Sequence, residues 1–314
     1  MRAQTLMRSV SSVALIVAGG QQAYADGDSV PSGYTLDVKG GIGGTNSVWN
    51  DKFESSGAPD KLGTDDNALT FMGSFSLARQ TAPHKDMTFG LSFGTADHDA
   101  FSISSISSGF GSSFATLTGS ESFTFAALDY ERGTTSRSGA TDLRWFYGAR
   151  ALSTKSSLSI GAVEEDKFGS GSGQSFTQKV TDTYTQKLTD TYVGIGPRVG
   201  AEFSTRPSGS QFGVSGDVAA AFLLGSRKTT FTSSYSSGGS SSSYSSSYSE
   251  KQNAMSLDAR IGVDYYLTDT ATVSAGFQMQ QFWNVDNLSD TDNDSDFVGP
   301  RLVKGVYVGF STQF

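Results

Sequence analysis

The sequence predicts an all-β protein: an antiparallel transmembrane β-barrel of about ten strands, with short periplasmic turns and long extracellular loops. Three observations carry this expectation. Segment after segment alternates apolar with small or polar residues at period 2, the pattern of strands whose two faces meet different surroundings. The connections between these segments alternate short and long. The chain also begins with a stretch that reads as an export signal.

Composition agrees with a barrel and excludes other classes. Only 36% of the 314 residues are hydrophobic, and mean hydropathy is negative. No apolar run reaches the roughly 18 residues of a membrane-spanning helix. Yet the chain holds 37 Gly, 22 Phe and 12 Tyr against 6 Pro, which suits strands that show lipid only every second side chain. With no cysteine, disulfides and thiolate metal sites are ruled out. Arg2 and Arg8, the apolar core 10–18 and Ala23-Tyr24-Ala25 before Asp26 form a signal peptide over 1–25, with cleavage near Ala25 and a mature barrel over 26–314. Removing it takes away two arginines and no acid, so 21 basic residues face 31 acidic ones, a net charge of −10. Such a surface argues against a nucleic-acid partner.

Strand one, 34–44, puts Tyr34, Leu36, Val38 and Ile42 on one face and Asp37 and Lys39 on the other. After the polar stretch 45–67, strand two carries Leu69, Phe71, Phe75 and Leu77 in phase, and Thr81-Ala82-Pro83-His84 turns the chain. In strand three, Met87, Phe89, Leu91 and Phe93 alternate with Thr88, Gly90, Ser92 and Gly94, before a Ser/Gly-rich loop over 96–121. Strand four, 123–132, opposes Ala126, Leu128 and Tyr130 to Asp129 and Glu131, and 133–140 is a turn. Strand five, 142–152, sets Leu143, Trp145, Tyr147, Ala149 and Ala151 against Arg144, Gly148 and Arg150.

A polar insertion over 154–191 contains a tandem octapeptide, TQKVTDTY then TQKLTDTY, read as a lengthened loop or a strand pair rising above the membrane. Held as a further hairpin, that insertion would raise the count to twelve strands. Strand six sets Val193, Ile195, Val199 and Phe203 against Arg198 and Glu202, and Pro197 marks a bulge because proline cannot donate to a ladder. Strand seven follows a turn at 205–210, with Val214, Val218, Phe222 and Leu224 opposing Asp217 and Arg227. The serine tract 233–249 reads as flexible and solvated. Strand eight opposes Leu257, Ile261 and Val263 to Asp258, Arg260 and Asp264, and strand nine opposes Val273, Phe277 and Met279 to Gln278 and Gln280. The acidic loop 286–296 leads to the last strand, where Val306, Val308 and Phe310 alternate with Gly305, Tyr307 and Gly309 and the chain stops on Phe314.

Four connections are short and five are long, in strict alternation. A soluble sandwich has no reason to sort its loops this way. In a bilayer only a closed sheet leaves no backbone group unpaired.

The candidate functional residues are the charges opposite the apolar faces: Asp129, Glu131, Arg144, Arg150, Arg198, Glu202, Asp217, Arg227, Asp258, Arg260 and Asp264, joined by Asp37 and Lys39. Six are basic and seven acidic. All would project into the lumen, either as salt bridges that plug a narrow barrel or as a water-lined constriction that selects by charge. For catalysis the inventory is thin. His84 lies in a turn, and His98, in Asp97-His98-Asp99, has no partners converging on it. The run DTDNDSD at 290–296 begins like a calcium loop but has Ser295 and Arg301 where Gly and Glu belong. Neither a catalytic set nor a metal or cofactor site is expected.

LDYERG (128–133), DLRWFYGARAL (142–152), GIGPRVG (194–200), GDVAAAFLLG (216–225) and the Gly/aromatic end at Phe314 resemble the pore-forming outer-membrane protein family first described from Legionella. The resemblance implies a signal-bearing, porin-like β-barrel. The expected location is the Gram-negative outer membrane, with lipid and lipopolysaccharide as partners and the barrel-assembly machinery engaging the Phe314 strand. Passive passage of small solutes is the first functional expectation. A structural or adhesive barrel acting through its Ser/Thr/Gly-rich loops is the second, and an embedded hydrolase using His98 the last.

Overall fold

The computed structural model describes residues 33–45, 68–108, 111–168, 178–285 and 300–314. Among them are ten strands: β1 (Tyr34–Thr45), β2 (Ala68–Ala82), β3 (Lys85–Ser108), β4 (Gly111–Ser138), β5 (Thr141–Phe168), β6 (Gln178–Thr205), β7 (Phe212–Ser237), β8 (Ser240–Tyr266), β9 (Ala271–Trp283) and β10 (Arg301–Gln313). Each pairs antiparallel with its chain neighbours, and β1 pairs with β10, so the sheet is a closed barrel. The expected signal peptide over 1–25, most of the 45–67 stretch and the DTDNDSD run lie outside the described residues.

The register sets the shape. Paired positions followed from Thr45 through Val303, Asp258, Phe146 and Asp86 to Gln80 come back to Gly33, twelve residues down β1 from the start. A stagger of that size round ten strands corresponds to a strand tilt of about 40°. Side chains alternate accordingly. Phe71, Phe93, Leu128, Trp145, Ile195, Val218, Phe277 and Val308 stand exposed on the outside. Small residues, charges and a few aromatics point in. The exposed apolar belt is what lipid contact requires.

The wall is uneven. β1, β2, β9 and β10 have 12–15 residues, whereas β3 to β8 have 24–28. A tilted strand crosses the membrane in about 9–11 residues. The expected loops over 96–121 and 233–249 are therefore corrected: among the described residues they are paired strand that rises above the bilayer. Over 154–191 the strand pair, the second of the two arrangements expected there, is the one found. The serine tract is not irregular either. It forms the β7–β8 hairpin, paired from Ser237 and Ser240 downward, because Gly238 and Gly239 take the positive φ that a tight hairpin turn needs. The octapeptide repeat lies mostly in β6; its even length keeps Asp182 and Asp190 on one face.

Above the membrane the barrel is open. The β2–β3 ladder ends at Thr70 and Ala96, and the β8–β9 ladder begins at Met255 and Trp283, so among the described residues β3 to β8 form a six-stranded wall with two free edges. Two smaller expectations also change. β4 continues to Ser138, which confines the turn to Gly139 and Ala140. Pro197 makes no bulge: Ile195 pairs with Leu224 and Arg198 with Ala221, equal counts on both strands, so the missing donor interrupts the ladder to β7 without shifting it.

The β1–β10 seam depends on two facing glycines, Gly43 and Gly305. A Cβ on Gly43 would lie 1.9 Å from the Lys304 carbonyl oxygen, and one on Gly305 would lie 2.3 Å from that of Ile42. Gly43→Val should thus cost about 1–3 kcal/mol through overpacking at the seam. The expected result is a smaller fraction of protein in the compact, SDS-resistant form on unheated gels, with Gly40→Ala, where a Cβ meets nothing within 4 Å, unchanged.

Candidate functional site

The lumen is the candidate site, and strand parity builds it. Asp129 and Glu131 on β4, Arg144 and Arg150 on β5, Arg198 and Glu202 on β6, Asp217 on β7, and Asp258 and Arg260 on β8 alternate with exposed apolar neighbours and point inward. Arg150 is the centre. Its guanidinium donates two bonds of 2.8 Å to the Asp129 carboxylate, one of 2.9 Å to Ser256 Oγ and one of 3.1 Å to Asp258 Oδ1. Arg198 donates to Glu131 at 3.0 Å and also to Asp258. Two guanidinium groups thus share one carboxylate, and β4, β5, β6 and β8 are tied together across the lumen.

A second cluster lies nearer the short turns. Arg144 donates to Asp86 at 2.6 Å, Thr88 at 3.1 Å, and Glu131 and Glu202 at 3.3 Å. Its guanidinium also stands 4.9 Å from the centre of the Phe146 ring, with that of Arg198 at 5.8 Å from the same ring. Arg260 pairs with Asp217 at 2.5 Å, and Lys39 with Asp37. Asp264 is buried near the same end. Arg227 sits far above, paired with Glu250. The eleven sequence-derived residues therefore divide into a central network, a lower cluster and one residue, Arg227, in the tall wall.

Directly above the central network the lumen turns apolar. Phe123, Phe125, Leu152, Leu223, Phe282 and Val303 meet there, each no more than 5% exposed. The rings of Phe123, Phe125 and Phe282 stand 5.1–6.2 Å apart, tilted against one another. Arg301 covers Phe123 with its guanidinium 5.3 Å from the ring and pairs with Glu121. Sequence reading missed this tier because it follows the inward face by its charges, and these six residues carry none. The signal was present: Phe123 and Phe125 share parity with Asp129 and Glu131, and Leu152 with Arg150. Asp86 was missed because it adjoins a turn.

A cavity of about 550 Å³ opens at the short-turn end. Gln80, Asp86 and Asp142 line its mouth, and Arg150, Asp258, Gln280 and Phe125 its inner end. His84 lies exposed at this rim with φ 61°. The backbone of His98 pairs with Glu121, and its side chain lies outside what the structure describes. Among the described residues no group of carboxylates and histidines is arranged to hold a metal ion.

A family model described as the Legionella pneumophila major outer membrane protein precursor matches residues 71–314. No curated protein matches the chain. Among solved structures, it is similar to the outer membrane protease OmpT from Escherichia coli, with 14% identity over 90% of this chain and 97% of that one, TM-score 0.37. It is also similar to a major outer membrane protein from Thermus thermophilus, with 11% identity, 90% and 99% coverage and TM-score 0.30. An outer membrane channel from Pseudomonas putida matches at 9% identity, with 94% and 100% coverage and TM-score 0.30.

Removing one member of the central network leaves the others buried without a counter-charge. Arg150→Met should therefore destabilise the barrel by about 3–5 kcal/mol. Arg150→Lys should recover only part of that, because an ammonium cannot hold Asp129 through two parallel bonds and still reach Asp258. Urea midpoints of the barrel refolded in lipid vesicles measure both.

Proposed function

As this chain belongs to the Legionella pneumophila major outer membrane protein family, we propose that it is a non-enzymatic outer-membrane barrel with a sealed lumen, serving as a rigid base for the tall wall at the cell surface. One observation carries the reading: among the described residues, side chains fill the lumen above the charged network. A pore must expose its lining to water, and Leu152, Leu223, Phe282 and Val303 are each 1% exposed or less. Arg150 beneath them is equally inaccessible. The charges then serve rigidity, with Arg144, Arg150 and Arg198 each reaching a strand that is not a neighbour of its own in the sheet. The surface carried by this base is rich in hydroxyls, since the upper parts of β7 and β8 are almost entirely Ser, Thr and Tyr.

The cavity at the turn end favours a second reading, passive passage of small solutes. It leads charged walls as far as Arg150 and Asp258, so displacement of the apolar tier alone would join it to the outside. Planar-bilayer recording on refolded protein separates the two readings. The sealed barrel gives no steady conductance steps at low voltage, and Phe125→Ala with Phe282→Ala introduces or enlarges them. Stable open steps from the unmodified protein would reject the seal. Shortening the β7–β8 hairpin by removing 233–249 and rejoining the strands through a Gly-Gly turn should reduce cell attachment while the SDS-resistant barrel persists. Unchanged attachment would reject the surface role.

A further inference from the structure

The upper parts of β5 to β8 sort their charges by sign. Asp182, Asp190 and Glu250 share parity with the lumen residues and face inward. On the outer face, positions 153–163 of β5, 181–193 of β6, 224–236 of β7 and 241–255 of β8 carry Ser, Thr, Gly, Asn and a few apolar residues, and Lys155, Lys187, Lys228 and Lys251 are their only charged side chains. All four lysines are exposed, and none is ion-paired among the described residues.

Three of them form a group. Lys155 pairs with Thr191, which pairs with Lys228, so the two lysines stand two strands, or about 10 Å, apart. Lys228 pairs with Ser249, which makes Lys251 its diagonal neighbour on β8, about 7–8 Å away. The group sits at the upper limit of the lipid-facing belt. Val193, Leu224 and Met255 are the last exposed apolar residues below it, and Thr191, Ser226 and Ser249 supply hydroxyls between the lysines. No apolar centre suits a protein partner here. Cations and hydroxyls just above a lipid-facing belt suit an anionic headgroup.

We propose that Lys155, Lys228 and Lys251 bind the phosphate groups of the outer-leaflet glycolipid, the lipid A moiety of lipopolysaccharide, with Lys187 reaching down from above. The apolar belt below takes the acyl chains. The site rests on the outer-membrane location alone, so a barrel found to conduct would leave it standing.

The test uses the full mature barrel refolded in detergent, with bound lipid read by native mass spectrometry. Phosphorylated lipid A should bind stoichiometrically, and lipid A stripped of phosphate should bind far more weakly. Lys155→Gln, Lys228→Gln and Lys251→Gln together should weaken the phosphorylated lipid on the order of a hundredfold, from the usual contribution of a basic side chain at an anionic surface. Arg79→Gln, an exposed outer-face cation at the opposite end, should leave binding unchanged. Equal binding of the two lipids, equal binding by the triple variant in its SDS-resistant form, or displacement by inorganic phosphate at lipid concentrations would overturn the proposal.

Discussion

Everything in this molecule follows from a backbone that lipid forbids to leave unpaired. Closing ten strands on themselves, β1 against β10, satisfies that condition, and the twelve-residue stagger of the closure sets the tilt and with it the diameter. The seam is tight enough that Gly43 and Gly305 face each other where neither could carry a side chain unaltered. Short strands suffice on the β9–β10–β1–β2 side because crossing the membrane is all that they do.

A cylinder of this width has an interior to fill, and it is filled in tiers. Charges occupy the level nearest the short turns, beside the cavity. The Arg150 network comes next, almost without access to water. Aromatic and aliphatic side chains pack above it. Buried ion pairs of this kind add little net stability, since desolvation offsets most of their attraction. Their value is positional. Arg150 is satisfied only when β4, β5 and β8 are in their observed registers, so a slipped strand would strand a charge in the interior. The apolar tier above adds burial of about 1.5–3 kcal/mol for each large side chain withdrawn from water.

Outside the membrane a different rule applies, because water can satisfy a free edge. β3 to β8 continue as an open wall, and its β8 edge carries polar residues such as Ser240, Ser242 and Ser246 that blunt the tendency of exposed strands to associate. The wall keeps the alternation of the barrel beneath it, now with acids and tyrosines on the inner face and lysines and hydroxyls on the outer one. Tyr235 and Tyr244, scattered to the eye in a serine tract, prove to share the inner face once the Gly238–Gly239 turn sets the register.

Period-2 alternation with sorted loop lengths was enough to read ten strands, their direction, the lipid face and most of the inward charges, because each depends on a strand's own side chains meeting lipid on one side only. The extent of the strands was not legible: Ser, Thr and Gly over 96–121 and 233–249 have loop composition, and only the partner strand supplies the hydrogen bonds that make them sheet. Nor was the packing inside the lumen. Whether Arg150 lines water or a salt bridge depends on Asp129, Ser256 and Asp258 arriving from three directions, and whether Phe125 meets lipid or Phe282 depends on a stagger summed over the whole ring. Alternation along one strand is a local property of the chain. Which inward side chains share a height is a property of the closed barrel.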